Sequence, residues 1–298
     1  MAEKELLILG YGYLGECVAR RALSDGWKVR AVSRNETRLA NLETLGGEGF
    51  IGLVNESQWH DFADTNTTTH VLNCVSSAGN GLEGYRLSYV EGNRSLARWM
   101  ESSGFKGKAI YTSSVSVYPD AEGGWLDEDC GLEPNTERGR LIRKSEELFL
   151  RADLKCQRAV LRLGGIYGPG RHWLANRLKE APRELPGEGN YYLNLIRTED
   201  IVEAVFTCFG SEETLDSCYN VVDDTPSLKA DIVEWLAGEL GVEVPVFSGS
   251  KGSRSHRNLD GRGSSNRRLK NKKLRDAVQW KPSYKSFREG FRDLINDA

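Results

Sequence analysis

The chain opens with short apolar runs separated by glycines. Leu6-Leu7-Ile8-Leu9 is apolar throughout, the pattern of a strand covered on both faces. After a glycine turn, Leu14, Val18 and Ala22 recur at helical spacing through Ser24, and Gly26 stops the helix. Val29-Arg30-Ala31-Val32 predicts the next strand, so a β-α-β unit closes in just over thirty residues. The alternation continues with strands at Val71–Val75, Ala109–Thr112 and Ala159–Leu163, and with helices over Tyr89–Ser102 and Arg138–Ala152. This order predicts an α/β chain built on a Rossmann, doubly wound parallel sheet.

The texture changes after Leu163. Gly164-Gly165-Ile166-Tyr167-Gly168-Pro169-Gly170-Arg171 reads as a loop because of its glycines and proline. Helical patterns return at Trp173–Glu180, Ile201–Phe209 and Lys229–Leu240, and Tyr284–Ile295 reads as a closing helix. Residues 1–165 are therefore expected to form the dinucleotide-type domain, with parts of 192–222 returning to it. Residues 166–298 would form mainly a small C-terminal α/β substrate lobe.

Gly10-Tyr11-Gly12-Tyr13-Leu14-Gly15 is the sharpest motif. A GxGxxG sequence means little alone, but here it follows a buried strand and opens an amphipathic helix, the context it requires. Gly10 permits the tight turn, Gly12 lets the backbone approach a pyrophosphate, and Gly15 lets helix pack on strand. The N–H groups of the helix start, Tyr13 and Leu14 included, then face the phosphates. The second strand ends in Ser33-Arg34 where an NAD site would place an acid on the ribose 2′-hydroxyl, and no acid occurs until Glu36. An arginine pairs with a 2′-phosphate, so the expected cofactor is NADP, with NAD less favoured.

Further residues carry a resemblance. Thr112-Ser113-Ser114-Val115-Ser116-Val117-Tyr118, Leu161 to Gly170 with its R-x-x-x-x-Y-G-P-G, Asn194-Leu195-Ile196-Arg197-Thr198-Glu199-Asp200-Ile201, Tyr219 to Asp223 and Trp280-Lys281-Pro282 lie in order along the chain. Together they resemble the extended and atypical short-chain dehydrogenase/reductases, the group containing nucleotide-sugar epimerases and dehydratases. The resemblance covers nearly the whole length. It implies cofactor contacts at Cys74, Val75, Ser76, Thr112, Ser113, Ile166 and Tyr167, a substrate-orienting Ser114, and substrate contacts at Tyr118, Asn194 and Arg197.

The resemblance breaks at one place. The family's general acid/base is the tyrosine of a Tyr-x-x-x-Lys on the helix after the serine strand, and the lysine lowers its pKa and holds the nicotinamide ribose. Here those positions fall on Arg138 and Ile142, and Lys144 lies about 200° further round the helix. The glycine spacing, GxGxxG rather than GxxGxxG, departs as well. Both features resemble the atypical, epimerase-like branch that lacks the tyrosine. Tyr118 and Tyr167 are the candidate substitute acids, but the resemblance favours packing for both, Tyr118 near the site in the V-Y element and Tyr167 as an aromatic wall at the nicotinamide end. Two readings stay open: an oxidoreductase, epimerase or dehydratase acting on a nucleotide-linked or phosphorylated small molecule, and a catalytically silent NADP(H) sensor or regulator.

Composition adds exclusions. A net charge of −3 gives the chain no overall drive toward nucleic acid. Between Ser248 and Arg275, however, ten Lys and Arg face one acid, Asp260, a run fit for an anionic substrate, for RNA, or for a solvated mobile loop. Few aromatics interleave it, so nucleic acid is the weaker reading. The six cysteines have no CxxC or metal-ligand spacing, and His70 and His172 stand alone, so free thiols and no metal are expected. No apolar run approaches a membrane span and no signal segment is visible, which predicts a cytoplasmic protein.

Overall fold

The computed structural model describes residues 3–64, 66–77, 79, 81–151, 155–213, 215, 217–249 and 265–296. In chain order the first elements are β1 (Glu5–Leu9), α1 (Tyr13–Ser24), β2 (Lys28–Ser33), α2 (Glu36–Thr44), β3 (Glu48–Ile51) and β4 (His70–Asn73). There follow α3 (Gly81–Tyr85), a π-helical turn (Arg86–Glu91), α4 (Gly92–Ser103), β5 (Lys108–Ser114), a 3-10 turn (Val115–Val117), β6 (Trp125–Leu126), α5 (Glu137–Arg151) and β7 (Gln157–Leu163). The remainder comprises β8 (Gly165–Tyr167), α6 (Trp173–Lys179), β9 (Glu184–Leu185), β10 (Tyr192–Leu193), β11 (Leu195–Arg197), α7 (Thr198–Gly210) and β12 (Ser217–Val221). It ends with β13 (Ser227–Leu228), α8 (Lys229–Leu240), β14 (Val246–Phe247), β15 (Arg268–Leu269), α9 (Lys272–Val278) and α10 (Phe287–Asn296).

Seven strands form one parallel sheet in the order β12-β7-β5-β4-β1-β2-β3. β1 pairs with β2 on one side and β4 on the other, Leu9 lying opposite both Val32 and Asn73. Strand order therefore reverses at β1/β4, the switch point where open α/β sheets bind ligands. All five residues of β1 are buried, which explains the apolar run Leu6–Leu9 that follows Glu5. One core gathers Leu7, Leu9, Val32, Val71, Trp59, Trp99 and Phe149 around this sheet. A second gathers Tyr167, Leu174, Leu178, Ile232, Leu236, Phe287 and Phe291.

The chain divides into two compact units. One holds residues 1–118, 132–162 and 202–219; the other holds 119–131, 163–201 and 220–298. Two elements differ from the sequence reading. The glycine-rich stretch after Leu163 is not all loop, because Gly165–Tyr167 pairs in parallel with Leu195–Arg197. Helix Tyr89–Ser102 instead begins as a π-helical turn over Arg86–Glu91 and continues as Gly92–Ser103. Of the predicted α5, Ala152 lies outside the described residues, as does the part of the basic segment carrying Lys251, Arg254, Arg257, Asp260 and Arg262. No helix among the described residues is long and apolar enough to cross a membrane.

His70, at the start of β4, has found an aromatic setting. Its ring lies 4.6 Å from that of Trp27 and 4.8 Å from that of Phe209, and Nδ1 is 2.8 Å from the Thr69 hydroxyl. Burial, with Lys4 and Lys108 adding, lowers its pKa from 6.5 to about 4. The unfolded chain thus takes up this proton first as pH falls. The neutral ring's contribution is complete above pH 6.5 and is lost progressively toward pH 4. The expected outcome is that His70→Phe flattens the loss of unfolding free energy between pH 6.5 and 4, measured by urea titration. Equal slopes for the two proteins contradict this account.

Candidate functional site

The glycine turn sits where β1 ends. Gly10 has φ +96°, and a Cβ there would lie 2.7 Å from the Val75 Cα and N, so only glycine fits over the end of β4. A Cβ at Gly15 would lie 2.6 Å from the Gly10 carbonyl oxygen, which is how α1 packs against the turn it leaves. Gly12 differs: nothing lies within 4 Å of its added Cβ. It is the N-cap of α1, with no side-chain cap, and its carbonyl accepts from Glu16 N at 2.9 Å to close the first turn. Folding leaves Gly12 free to carry a side chain, yet the turn keeps this face bare at a helix N-terminus, as a pyrophosphate cradle requires. Tyr13 is half-buried and Leu14 buried behind it.

Around this cradle, Cys74 donates its thiol to the Gly10 carbonyl at 3.2 Å, and burial pushes that thiol up to about 12. It is a structural neighbour rather than a reactive thiolate. The Asn73 side chain donates to Asn93 Oδ1 at 2.8 Å and accepts from Val75 N at 3.4 Å, fixing the loop that carries Val75 and the exposed Ser76. At the end of β2, Ser33 Oγ accepts from Asn35 N at 3.2 Å, and Arg34 is exposed. Asn35 caps α2 by accepting from Arg38 N at 3.0 Å. This brings a second guanidinium to the same corner, Arg38, which donates to Glu16 Oε2 at 2.9 Å. Sequence reasoning overlooked Arg38; its signal was an arginine three residues after an asparagine N-cap.

The serine strand end divides into two environments. Thr112 and Ser113 are buried, Thr112 donating to Asn73 O at 3.4 Å and Ser113 to Glu146 Oε1 at 2.5 Å. Ser114 is half-buried and its Oγ accepts from Ser116 N at 3.2 Å, capping the 3-10 turn. Gly139 brings α5 against this turn, since a Cβ there would lie 2.6 Å from Ser116 O.

Glu146 anchors α5 more deeply. Arg162 on β7 grips both of its oxygens, with Nη2 2.8 Å from Oε2 and Nε 3.1 Å from Oε1. The side chains are 4% and 3% exposed, so this is a buried, bidentate pair. Burial opposes the charge on Arg162, but the Glu146 carboxylate outweighs it and holds the guanidinium above its usual pKa. Arg162 Nη1 also donates to the Tyr118 hydroxyl at 2.9 Å. Tyr118, expected at the substrate, is 1% exposed and serves this network. On α5 itself, Ile142 is buried, Lys144 is exposed, and Arg138 is half-buried over the Tyr85 ring at 5.0 Å.

The other predicted residues sit in the second unit. Tyr167 is 3% exposed and stacks on Phe291 at 4.5 Å, and burial together with Asp223 raises its hydroxyl well above the usual range. Ile166 pairs opposite Ile196 in the short parallel sheet. Asn194 donates to Arg267 O at 3.0 Å and accepts from Leu269 N at 2.8 Å, bracing β15. Arg197 donates to both Glu199 oxygens at 3.0 Å and to Gly290 O at 2.6 Å, with Tyr284 stacked at 3.9 Å. Its donors tie the C-terminal segment to β11. The described basic residues are committed as well: Arg275 to Asp224 at 2.9 Å, Lys270 to Asp127 at 3.1 Å, and Arg268 to Gly123 O at 2.7 Å. None of the six cysteines is joined in a disulfide, and no group of His, Cys, Asp and Glu among the described residues could hold a metal ion.

The comparisons with known proteins agree with this architecture. A family model described as the NAD dependent epimerase/dehydratase family matches residues 6–221. Protein YeeZ of Escherichia coli strain K12 is 26% identical over 267 residues, covering 87% of this chain and 92% of that protein. MoeE5, solved with UDP-glucuronic acid and NAD, superposes with TM-score 0.82 at 19% identity over 98% of both chains. UDP-glucose 4-epimerase from Thermotoga maritima, solved with UDP-glucose, gives TM-score 0.82 at 15% identity over 98% of this chain and 97% of that one.

The buried pair makes a direct prediction. Removing one partner leaves an uncompensated buried charge, a loss of about 3–5 kcal/mol. Arg162→Met is expected to destabilise by that order in urea unfolding, while Tyr118→Phe, which removes one hydroxyl acceptor, costs about 1 kcal/mol. A smaller loss for Arg162→Met than for Tyr118→Phe would contradict the ranking.

Proposed function

The chain belongs to the NAD-dependent epimerase/dehydratase family, and from that premise we propose an NADP(H)-binding oxidoreductase-like protein with altered proton chemistry. Its substrate class is a nucleotide-linked or phosphorylated small molecule. The observation that carries the proposal is a glycine cradle that is intact and bare, combined with an α5 whose tyrosine and lysine positions hold Arg138 and Ile142.

NADP over NAD is supported by the corner at the end of β2. Exposed Arg34 and nearby Arg38 supply guanidinium groups where an acid would repel a 2′-phosphate. A nicotinamide dinucleotide, when bound, supplies hydride transfer. The protein's own part is to seat the pyrophosphate on the α1 N-terminus and to offer the Ser114 hydroxyl to the substrate. What it does not offer is a tuned proton donor. Arginine stays protonated at any working pH. Ile142 is 4% exposed and apolar, so it neither bonds a ribose nor lowers a neighbour's pKa. Tyr118 accepts from Arg162 inside the core, and Tyr167 is stacked and buried with a raised pKa.

UDP-glucuronic acid and UDP-glucose in the solved complexes of MoeE5 and the Thermotoga epimerase support the nucleotide-linked substrate class. The commitment of both candidate tyrosines to packing favours a second reading, in which NADP(H) is a regulatory ligand and no turnover follows.

Positioned acid–base catalysis contributes about 10²–10⁴-fold. Turnover of UDP-sugars and simple ketones is therefore expected to be negligible, followed by NADPH absorbance and by sugar-nucleotide chromatography, while NADPH titration shows saturable binding. Robust turnover lost on Ser114→Ala selects the enzyme reading; robust turnover lost on Tyr118→Phe or Tyr167→Phe overturns the account of proton chemistry. For the cofactor, Arg34→Ala should weaken NADPH at least about tenfold more than NADH. Gly12→Val should abolish dinucleotide binding with the melting temperature unchanged, since its side chain meets open space in the protein. Normal NADPH affinity in Gly12→Val would place the dinucleotide elsewhere.

A further inference from the structure

Arg138 differs from the arginines around it. Arg140 donates to Pro134 O at 3.2 Å and lies 3.5 Å from Glu137, and Arg143 donates to Leu132 O and lies 3.3 Å from Glu147. Deeper in, Arg162 is consumed by Glu146 and Tyr118. Arg138 is half-buried, yet among the described residues its guanidinium has no carboxylate or carbonyl acceptor, only the Tyr85 ring at 5.0 Å. Tyr85 is itself backed by Tyr89, ring to ring at 5.1 Å. A guanidinium over an aromatic face leaves its edge donors pointing outward, in the fork that matches an oxyanion.

The position sharpens the point. Arg138 is the second residue of α5, a 15-residue helix, where the helix's partial positive charge disfavours a cation. Glu137, the acid of this first turn, lies 3.5 Å from Arg140, and among the described residues no carboxylate pairs with Arg138, so an anion placed there is attracted by both the helix end and the guanidinium. The next residue, Gly139, closes against Ser116 O, so this end of α5 touches the turn that Ser114 caps.

We propose that Arg138, supported by Tyr85, is an anion-binding residue that takes a carboxylate or phosphate oxyanion of the ligand at the Ser114 end of the site. This deepens the proposed function and rests on its reading that α5 borders the reaction end of a dinucleotide site. The residue at the tyrosine position would then fix an anionic substrate by its charge instead of exchanging a proton with it.

The test uses the full chain, labelled with ¹⁵N-arginine and saturated with NADP⁺, at constant ionic strength set with NaCl. The Arg138 Nε resonance, identified by its absence in Arg138→Lys, is followed during titration with inorganic phosphate, with pyruvate and with neutral acetone. A saturable shift with either anion and none with acetone is expected. A response to phosphate alone assigns a phosphate, and to pyruvate alone a carboxylate. By calorimetry, Arg138→Leu should weaken that anion at least tenfold, with NADP⁺ affinity and melting temperature unchanged. Absence of a saturable shift, or undiminished anion affinity in Arg138→Leu, overturns the proposal. The same titration without dinucleotide separates the two readings, because anion binding by a protein that fails to bind NADP⁺ keeps the role of Arg138 and removes the dinucleotide.

Discussion

There is no room for a methyl group at Gly10 or Gly15, and that exclusion fixes where α1 begins. The added carbon at Gly10 would enter the backbone of Val75, and at Gly15 it would enter the carbonyl of Gly10. The turn is therefore held by contacts the protein makes with itself, at the point where strand order reverses. Gly12 lies between the two, and no side chain or backbone atom of the protein would meet a carbon added to it. Its bareness costs backbone entropy without any return in packing, and that imbalance is the physical case for a ligand. A glycine required by the fold and a glycine required by a ligand look alike in a sequence; the space around each tells them apart.

A comparable division runs along α5. Glu146 is locked by Arg162 across to β7 and receives the Ser113 hydroxyl, so the helix keeps its register whatever stands two turns earlier. Gly139 sets its approach to the serine strand. The positions of Arg138 and Ile142 are thus specified by an anchor that does not depend on them. The framework can lose a tyrosine and a lysine without losing its geometry, and the replacement side chains arrive in a site already shaped. Ile142 turned that position into core, whereas Arg138 left a charge that no carboxylate among the described residues pairs.

The sheet was legible because its central strands are buried on both faces and carry no polar alternation. Leu6–Leu9 and Ala159–Leu163 were found within two residues of their ends. The short β8 was missed because pairing with β11 is a long-range contact, and local glycine content pointed to a loop. In the site, the glycine turn and the missing tyrosine and lysine could be read from spacing alone. Partner choice could not. Asn194 and Arg197 carry the residue types of ligand contacts, yet their donors are taken by Arg267 O, Glu199 and Gly290 O. Nor does a linear motif reveal that Arg162 spends itself on a glutamate sixteen residues away.

These observations change what an arginine means at each place in this fold. Arg162 and Arg197 are buried and satisfied, so their charge is neutralised by neighbours and projects little field. Arg275 and Lys270 end on acids at the surface, where such pairs contribute little to stability but do cancel the local potential. In the described part of the basic stretch, Arg268, Lys270 and Arg275 each end on an acceptor, so those charges are electrostatically quiet however positive they read as text. Among the described residues Arg138, in the first turn of α5, keeps a half-buried guanidinium over the Tyr85 ring with no carboxylate on it, close to the positive end of its helix. Selectivity for an anionic ligand then follows from which positive charges the fold has left unpaired, rather than from how many it contains.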